Sequence, residues 1–371
     1  MSTTSSSSRP GRWITGAVAA GATVLAALAT AWASPTEAPL RDARRTFVAP
    51  SASAGPLAAL VGATGWINSP VLDASGLRGK VVLVDFWTYS CINCLRTLPY
   101  VRAWADKYRD AGLVVIGVHA PEFDFEHRTA DVQRAADRLH LDFPIAQDND
   151  FAIWRAFGNQ AWPAFYFVDA QGRVRGHHLG EGSYAESEQQ IRRLLTEAGA
   201  TALPAGIASP QGAGIEAPSS TQRAQSPETY VGYERASGFG APGGLVPDRQ
   251  HDYPRVSALG TDEWALSGTW TVGRERAVLQ RAGGGIAYRF RGRDLHVVLA
   301  PDADSHPVRF RVRIDGRPPQ AEHGADIDAQ GNGTVDSRRL YQIVRQSAGG
   351  ERLVEIEFLD AGAQAYAFTF G

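Results

Sequence analysis

Residues Val81 to Pro99 read V-V-L-V-D-F-W-T-Y-S-C-I-N-C-L-R-T-L-P. Val81 to Trp87 is a continuous apolar and β-branched run broken only by Asp85, the pattern of a central parallel strand covered on both faces. After it, Leu95, Leu98, Val101, Ala105 and Tyr108 recur at three- and four-residue steps, which predicts a helix with one apolar face beginning near Cys91. The unpaired amides and macrodipole of a helix N-terminus favour a thiolate, so Cys91 is the expected nucleophile. Cys94, one turn later on the same face, is placed to attack a mixed disulfide at Cys91 and release the partner. A C-x-x-C alone is a weak signal, and the strand before it and the helix after it strengthen it.

The wider composition limits the alternatives. A chain of 371 residues with 44% hydrophobic content implies two globular domains, and a net charge of -2 makes no electrostatic case for nucleic acid. Cys91 and Cys94 are the only cysteines, so a structural disulfide framework is excluded. Arg9 and Arg12 precede an uncharged run from Ile14 to Ala33 that ends A-W-A, which reads as a signal peptide or a single membrane anchor spanning 1-33. Positive charge on its N-terminal side places the remainder outside the cytoplasm. Residues 34-56 lack periodicity and read as a flexible leader.

Residues 57-199 alternate strand and helix signals. Strands are expected near Gly65, at Val81 to Trp87, Leu113 to His119, Phe143 to Ala146, Ala164 to Asp169 and Arg173 to Leu179. Helices follow Cys91, surround Val132 to Leu139, span Asp150 to Phe157 and close near Ile191. Trp162-Pro163 lies just ahead of a central strand, where proline is expected only at a strand start, a bulge or a cis peptide.

The stretch around the cysteines resembles the thioredoxin superfamily, and within it the extracytoplasmic TlpA and DipZ-like redoxins. Leu77-Arg78-Gly79-Lys80, Asp85-Phe86-Trp87, the cysteine pair and Pro99 carry the likeness, joined by Asn159 to Asp169 and Gly180 to Tyr184. The resemblance implies an α/β thioredoxin-like domain with Asp85 as the buried acid beneath the disulfide. It also implies Pro163 as a cis-proline beside the disulfide, with Trp162 contacting a substrate that pairs as an added strand. Ser90 stands where thioredoxin has tryptophan. Thr97 stands where TlpA and ResA proteins often carry a helix glutamate, which shifts proton handling onto Asp85.

Residues 200-226, rich in Ala, Gly, Ser and Pro, read as a linker, and 227-371 as an all-β domain of short strands separated by Gly, Asp and Pro turns. By resemblance this second half is a jelly-roll sandwich like a carbohydrate-binding module. It makes a glycan a candidate ligand, through aromatics such as Trp264, Trp270 or Tyr288. The linker and the cysteine-free second half predict separate cores and redox chemistry that needs nothing beyond Ala200. His119, Glu122, His127 and the His177-His178 pair lack a structural zinc pattern, and Asp326 to Gly331 lacks the closing acid of a calcium loop, where Ser337 stands. No metal or cofactor is expected. The expected activity is thiol-disulfide exchange on protein disulfides, with electrons from a membrane donor of the CcdA/DsbD type. A thiol peroxidase, suggested by the T-x-x-C at Thr88 to Cys91, and a glycan-binding module with a secondary redox domain are the alternatives.

Overall fold

The computed structural model describes residues 55–220, 225–303 and 306–371; the expected signal peptide or anchor lies outside them, as does the leader up to residue 54. The first region contains β1 (Gly65–Ile67), β2 (Val81–Trp87), α1 (Ile92–Tyr108), β3 (Leu113–His119), α2 (Thr129–Arg138), β4 (Ile145–Gln147), α3 (Ala152–Phe157), β5 (Ala164–Val168), β6 (Val174–Leu179) and α4 (Tyr184–Glu197). Its sheet has the order β1-β4-β3-β2-β5-β6. β2 runs parallel to β3 and antiparallel to β5. All seven residues of β2 are buried because the sheet is covered on both sides. Val81, Leu83 and Trp87 pack with side chains of α1, α2 and α4, whereas Val82, Val84 and Phe86 pack with α3 and a short 3-10 turn at Pro56–Gly62. This is the expected thioredoxin-like α/β arrangement. Among the described residues no helix is long and apolar enough to cross a membrane.

The second region is all-β: β7 (Thr229–Tyr230), β8 (Gln250–Tyr253), β9 (Glu263–Val272), β10 (Ala277–Leu279), β11 (Gly285–Ala300), β12 (Val308–Ile314), β13 (Asn332–Val335), β14 (Arg339–Phe358) and β15 (Gln364–Phe370). In β12 burial alternates strictly: Val308, Phe310, Val312 and Ile314 face inward while Arg309, Arg311 and Arg313 face solvent. The strands expected to be short include two long ones, β11 of 16 residues and β14 of 20. β11 continues through Gly292 and β14 through Gly349 and Gly350, and Gly292 pairs directly with Gly350. These glycines have φ of 152° and 150°, so they carry the chain through a bulge instead of ending the strand. Around that bulge β11 changes neighbours, from β9 at residues 285–289 to β15 at residues 295–300. The pairings β9–β10, β10–β15, β15–β11 and β11–β9 therefore close these four strands into one network, where the sequence suggested a sandwich. Trp264, Trp270 and Tyr288, named as a glycan platform, are instead interior side chains at 0%, 0% and 1% exposure.

The expected separate cores are present, but not alone: the β-region has an apolar cluster of its own around Val297 and Ile356, the first region has one around Val84 and Ile153, and a further cluster spans both regions. Val298, Ala300, Leu340, Tyr366 and Ala367 of the β-region belong to the same apolar cluster as Leu95, Leu98 and Phe125. Phe123 and Phe125 meet Tyr366 edge to face at ring-centroid distances of 5.3 and 4.8 Å. Each such pair contributes about 0.5–1.5 kcal/mol beyond its burial. The stretch read as a linker is tied down on both sides. Glu216 takes a two-pronged bond from Arg102 at 2.7 Å, Ala208 N donates to Glu188, and Arg293 and Arg345 donate to the carbonyls of Pro218 and Gly214. Its composition lacks apolar periodicity because these contacts are made largely by backbone groups, which leave no side-chain pattern.

Candidate active site

The carboxyl end of β2 and the first turn of α1 form the site. Cys91 is the N-cap of α1, and its Sγ accepts the backbone N–H of Cys94 at 3.4 Å. A sulfur in that position meets the orphan amides that stabilise negative charge. Cys91 is half-buried and Cys94 fully buried, and both are free thiols. Burial, then the hydrogen bond and charge of Cys91, push the Cys94 thiol well above its ordinary value.

Asp85 lies beneath the pair, two residues before the end of β2. It is fully buried, and neither carboxylate oxygen has a hydrogen-bond partner. Burial alone pushes its pKa up to about 8, and its charge is felt at Cys94. An acid poised near neutrality suits proton exchange with a buried thiol.

The Trp162-Pro163 peptide is cis. β5 pairs with β2 through Ala164 opposite Phe86, so Pro163, one residue earlier, stands at the same end of the sheet as Trp87 and the cysteine turn. Its carbonyl accepts from Gly180 N at 2.8 Å, which ties it to the G-E-G-S-Y stretch. Trp162 is half-buried, leans on Trp154 with ring centroids 4.4 Å apart and packs against the same cluster as Cys91.

One functional group escaped the sequence reading. Glu126, in a 3-10 turn at Asp124–His127, is fully buried, and its Oε1 accepts from Thr88 Oγ1 at 2.5 Å and from Ser90 Oγ at 2.6 Å. Its Oε2 accepts from the backbone N–H groups of Glu122 and Phe123 at 2.6 and 3.1 Å. Burial raises its pKa to about 7 against the pull of these donors, the hydroxyls of Ser90 and Thr88 first among them. His119 Nε2 lies 3.3 Å from Thr88 Oγ1, and burial lowers this imidazole to about 3, so it is neutral. The F-D-F-E spacing of a loop acid carries no periodic signal, and only its four donors mark it.

Residues 226–371 match the thioredoxin-like C-terminal domain family, and residues 68–195 match the Redoxin family. Thiol-disulfide oxidoreductase YkuV of Bacillus subtilis is 31% identical over 142 residues, which cover 38% of this chain and 95% of that protein. The chain belongs to the thioredoxin-fold thiol-disulfide oxidoreductases. Within this redoxin family, protein DipZ of Mycobacterium tuberculosis is 36% identical over 327 residues, which cover 86% of this chain and 43% of DipZ. The chain thus spans less than half the length of that relative. The solution structure of a thioredoxin-like protein in the oxidised form is 30% identical, with a TM-score of 0.34 over 36% of this chain and 90% of that one. In the redoxin site described above, Cys91, Cys94 and Asp85 converge from consecutive elements, and Pro163 reaches their end of the sheet by strand register.

Proposed function

We propose that this redoxin is an extracytoplasmic thiol-disulfide oxidoreductase acting on protein disulfides. The observation that carries the reading is the half-buried Cys91 sulfur at a helix N-terminus, hydrogen-bonded by Cys94 N–H, with Cys94 and Asp85 buried beneath it. In the reductive direction the Cys91 thiolate attacks one sulfur of a substrate disulfide, forming a mixed disulfide and expelling the other sulfur as thiolate. Cys94 gives its proton to ionised Asp85 and attacks Cys91 Sγ. The second substrate thiolate leaves and is protonated, and Cys91-Cys94 becomes the disulfide. Two electrons from a separate membrane donor of the CcdA/DsbD type restore the dithiol. Pro163 and Trp162 border the substrate groove, and the β-region presents the enzyme to its partner. Export rests on the leader pattern of Arg9 and Arg12 before Ile14 to Ala33. The peroxidase alternative draws less support, since the Thr88 hydroxyl is committed to Glu126.

Single-cysteine variants test the assignment. Cys94→Ala should accumulate covalent partner complexes from an extracytoplasmic extract, because the first attack survives and the resolving step is gone. Cys91→Ala should trap almost none. In the unmodified dithiol, iodoacetamide near neutral pH should label Cys91 and leave buried Cys94 untouched. A reversed trapping pattern, or equal labelling of the two thiols, would remove the assigned roles.

A further inference from the structure

Thr88 to Ser90 connects the end of β2 to Cys91, and two of its three side chains are hydroxyls that end on one oxygen of Glu126. The other oxygen gathers two backbone amides of the loop after β3. Four donors converge on one carboxylate, an arrangement that only the ionised acid can satisfy in full, because a protonated carboxyl becomes a donor itself. The Thr88 carbonyl in turn accepts the backbone N–H of Cys91 at 3.4 Å. Glu126 therefore restrains the segment that leads into Cys91 without itself bonding the sulfur.

We propose that Glu126 is a positioning residue of the redox centre, an acid that locks the Thr88 to Ser90 segment when ionised and loosens it when protonated, and so sets the reactivity of Cys91. This rests on Cys91 being the nucleophile. The groups that face Glu126 are Thr88, Tyr89 and Ser90 from the end of β2 and neutral His119 from β3. Glu122 of its own loop raises it by charge. Behind Glu122 stand Tyr230 and Arg235 of the β-region, bonded to Glu122 Oε1 at 2.6 and 3.1 Å, and Glu228, bonded to the same Tyr230 hydroxyl. Asp131 and Arg338 act on Tyr89 by charge. The β-region thereby reaches the backbone of residues 122–123, whose amides help hold Glu126.

The full chain, with and without Glu126→Gln, tests this by the rate of iodoacetamide labelling at Cys91 across pH 5 to 9, alongside circular dichroism of the same samples. The wild-type rate should carry an inflection near pH 7, rising with pH, in addition to the ionisation of the thiol itself. Glu126→Gln should lose that inflection and label at least about tenfold more slowly at pH 8, the scale of one charge-assisted hydrogen bond. Ser90→Ala, which removes one donor and leaves the acid, should move the inflection upward, a response that a purely structural role would not give. An unchanged profile in both variants overturns the proposal, and so does faster labelling of Glu126→Gln, which would make the carboxylate a repelling charge only. If Glu126→Gln does not fold, the Ser90→Ala shift decides alone. Trapping by Cys94→Ala, with Glu126 intact, reads the nucleophile separately: trapping with no Glu126 effect removes only this inference.

Discussion

Arg96 Nη2 and Asp294 Oδ2 face each other at 3.5 Å across the junction of the two regions, with side chains 3% and 1% exposed. Arg96 is two residues beyond Cys94, on the helix that the nucleophile caps. It also reaches Glu181 at 3.4 Å, in the stretch that bonds the carbonyl of Pro163. Asp294 holds Arg293 at 2.6 Å and Arg345 at 3.5 Å as well. One buried carboxylate thus serves three guanidinium groups, and one of them belongs to the active-site helix.

Removing that carboxylate should be costly. Asp294→Ala leaves Arg96 buried with Glu181 as its remaining acid, and breaking a buried pair from one side costs about 3–5 kcal/mol. Urea unfolding of the full chain reads this as a lower midpoint at unchanged slope. A midpoint equal to wild type would mean that the pair is solvated in solution.

Truncation at Ala200 should impair the redox region, contrary to what its composition suggests. The cut strips Tyr366 from Phe123 and Phe125, Ile215 from the shared apolar cluster, and Glu216 from Arg102. Insulin reduction by the fragment, measured beside its near-ultraviolet circular dichroism, should fall well below that of the full chain. A fragment that reduces insulin as fast as the full chain would show that the junction is dispensable for catalysis.

The pH dependence of stability should carry the signature of Asp85. Its folded pKa, pushed by burial to about 8, lies above the ordinary aspartate value of 3.8, so between these values the native state holds a proton that the unfolded chain has released. Stability from this group is full below the unfolded value and is lost as pH rises toward 8. Asp85→Asn should flatten that decline in urea midpoints between pH 5 and 9 and should be relatively more stable at the alkaline end. A slope identical to wild type would place the carboxylate in contact with solvent.

What the sequence determined by itself was local. A strand buried on both faces leaves an unbroken apolar run, a helix leaves a 3.6-residue period, and two cysteines at its start declare their chemistry by position, so Val81 to Pro99 disclosed the fold and the dithiol together. Asp85 was legible for the same reason, as a charge where the strand pattern calls for an apolar residue. Tertiary structure alone decided which groups meet across distance. Glu126 joins Thr88 and Ser90 from 38 and 36 residues away, and Arg96 joins Asp294 from nearly two hundred. Trp264 and Tyr288 turned inward because the closed strand network buries both faces that meet there, and Gly292 and Gly350 passed through a strand because they stand opposite each other at its bulge. A periodic pattern records which side of an element is buried, not what buries it, and a buried carboxylate acquires its role from donors that only the folded chain brings within reach.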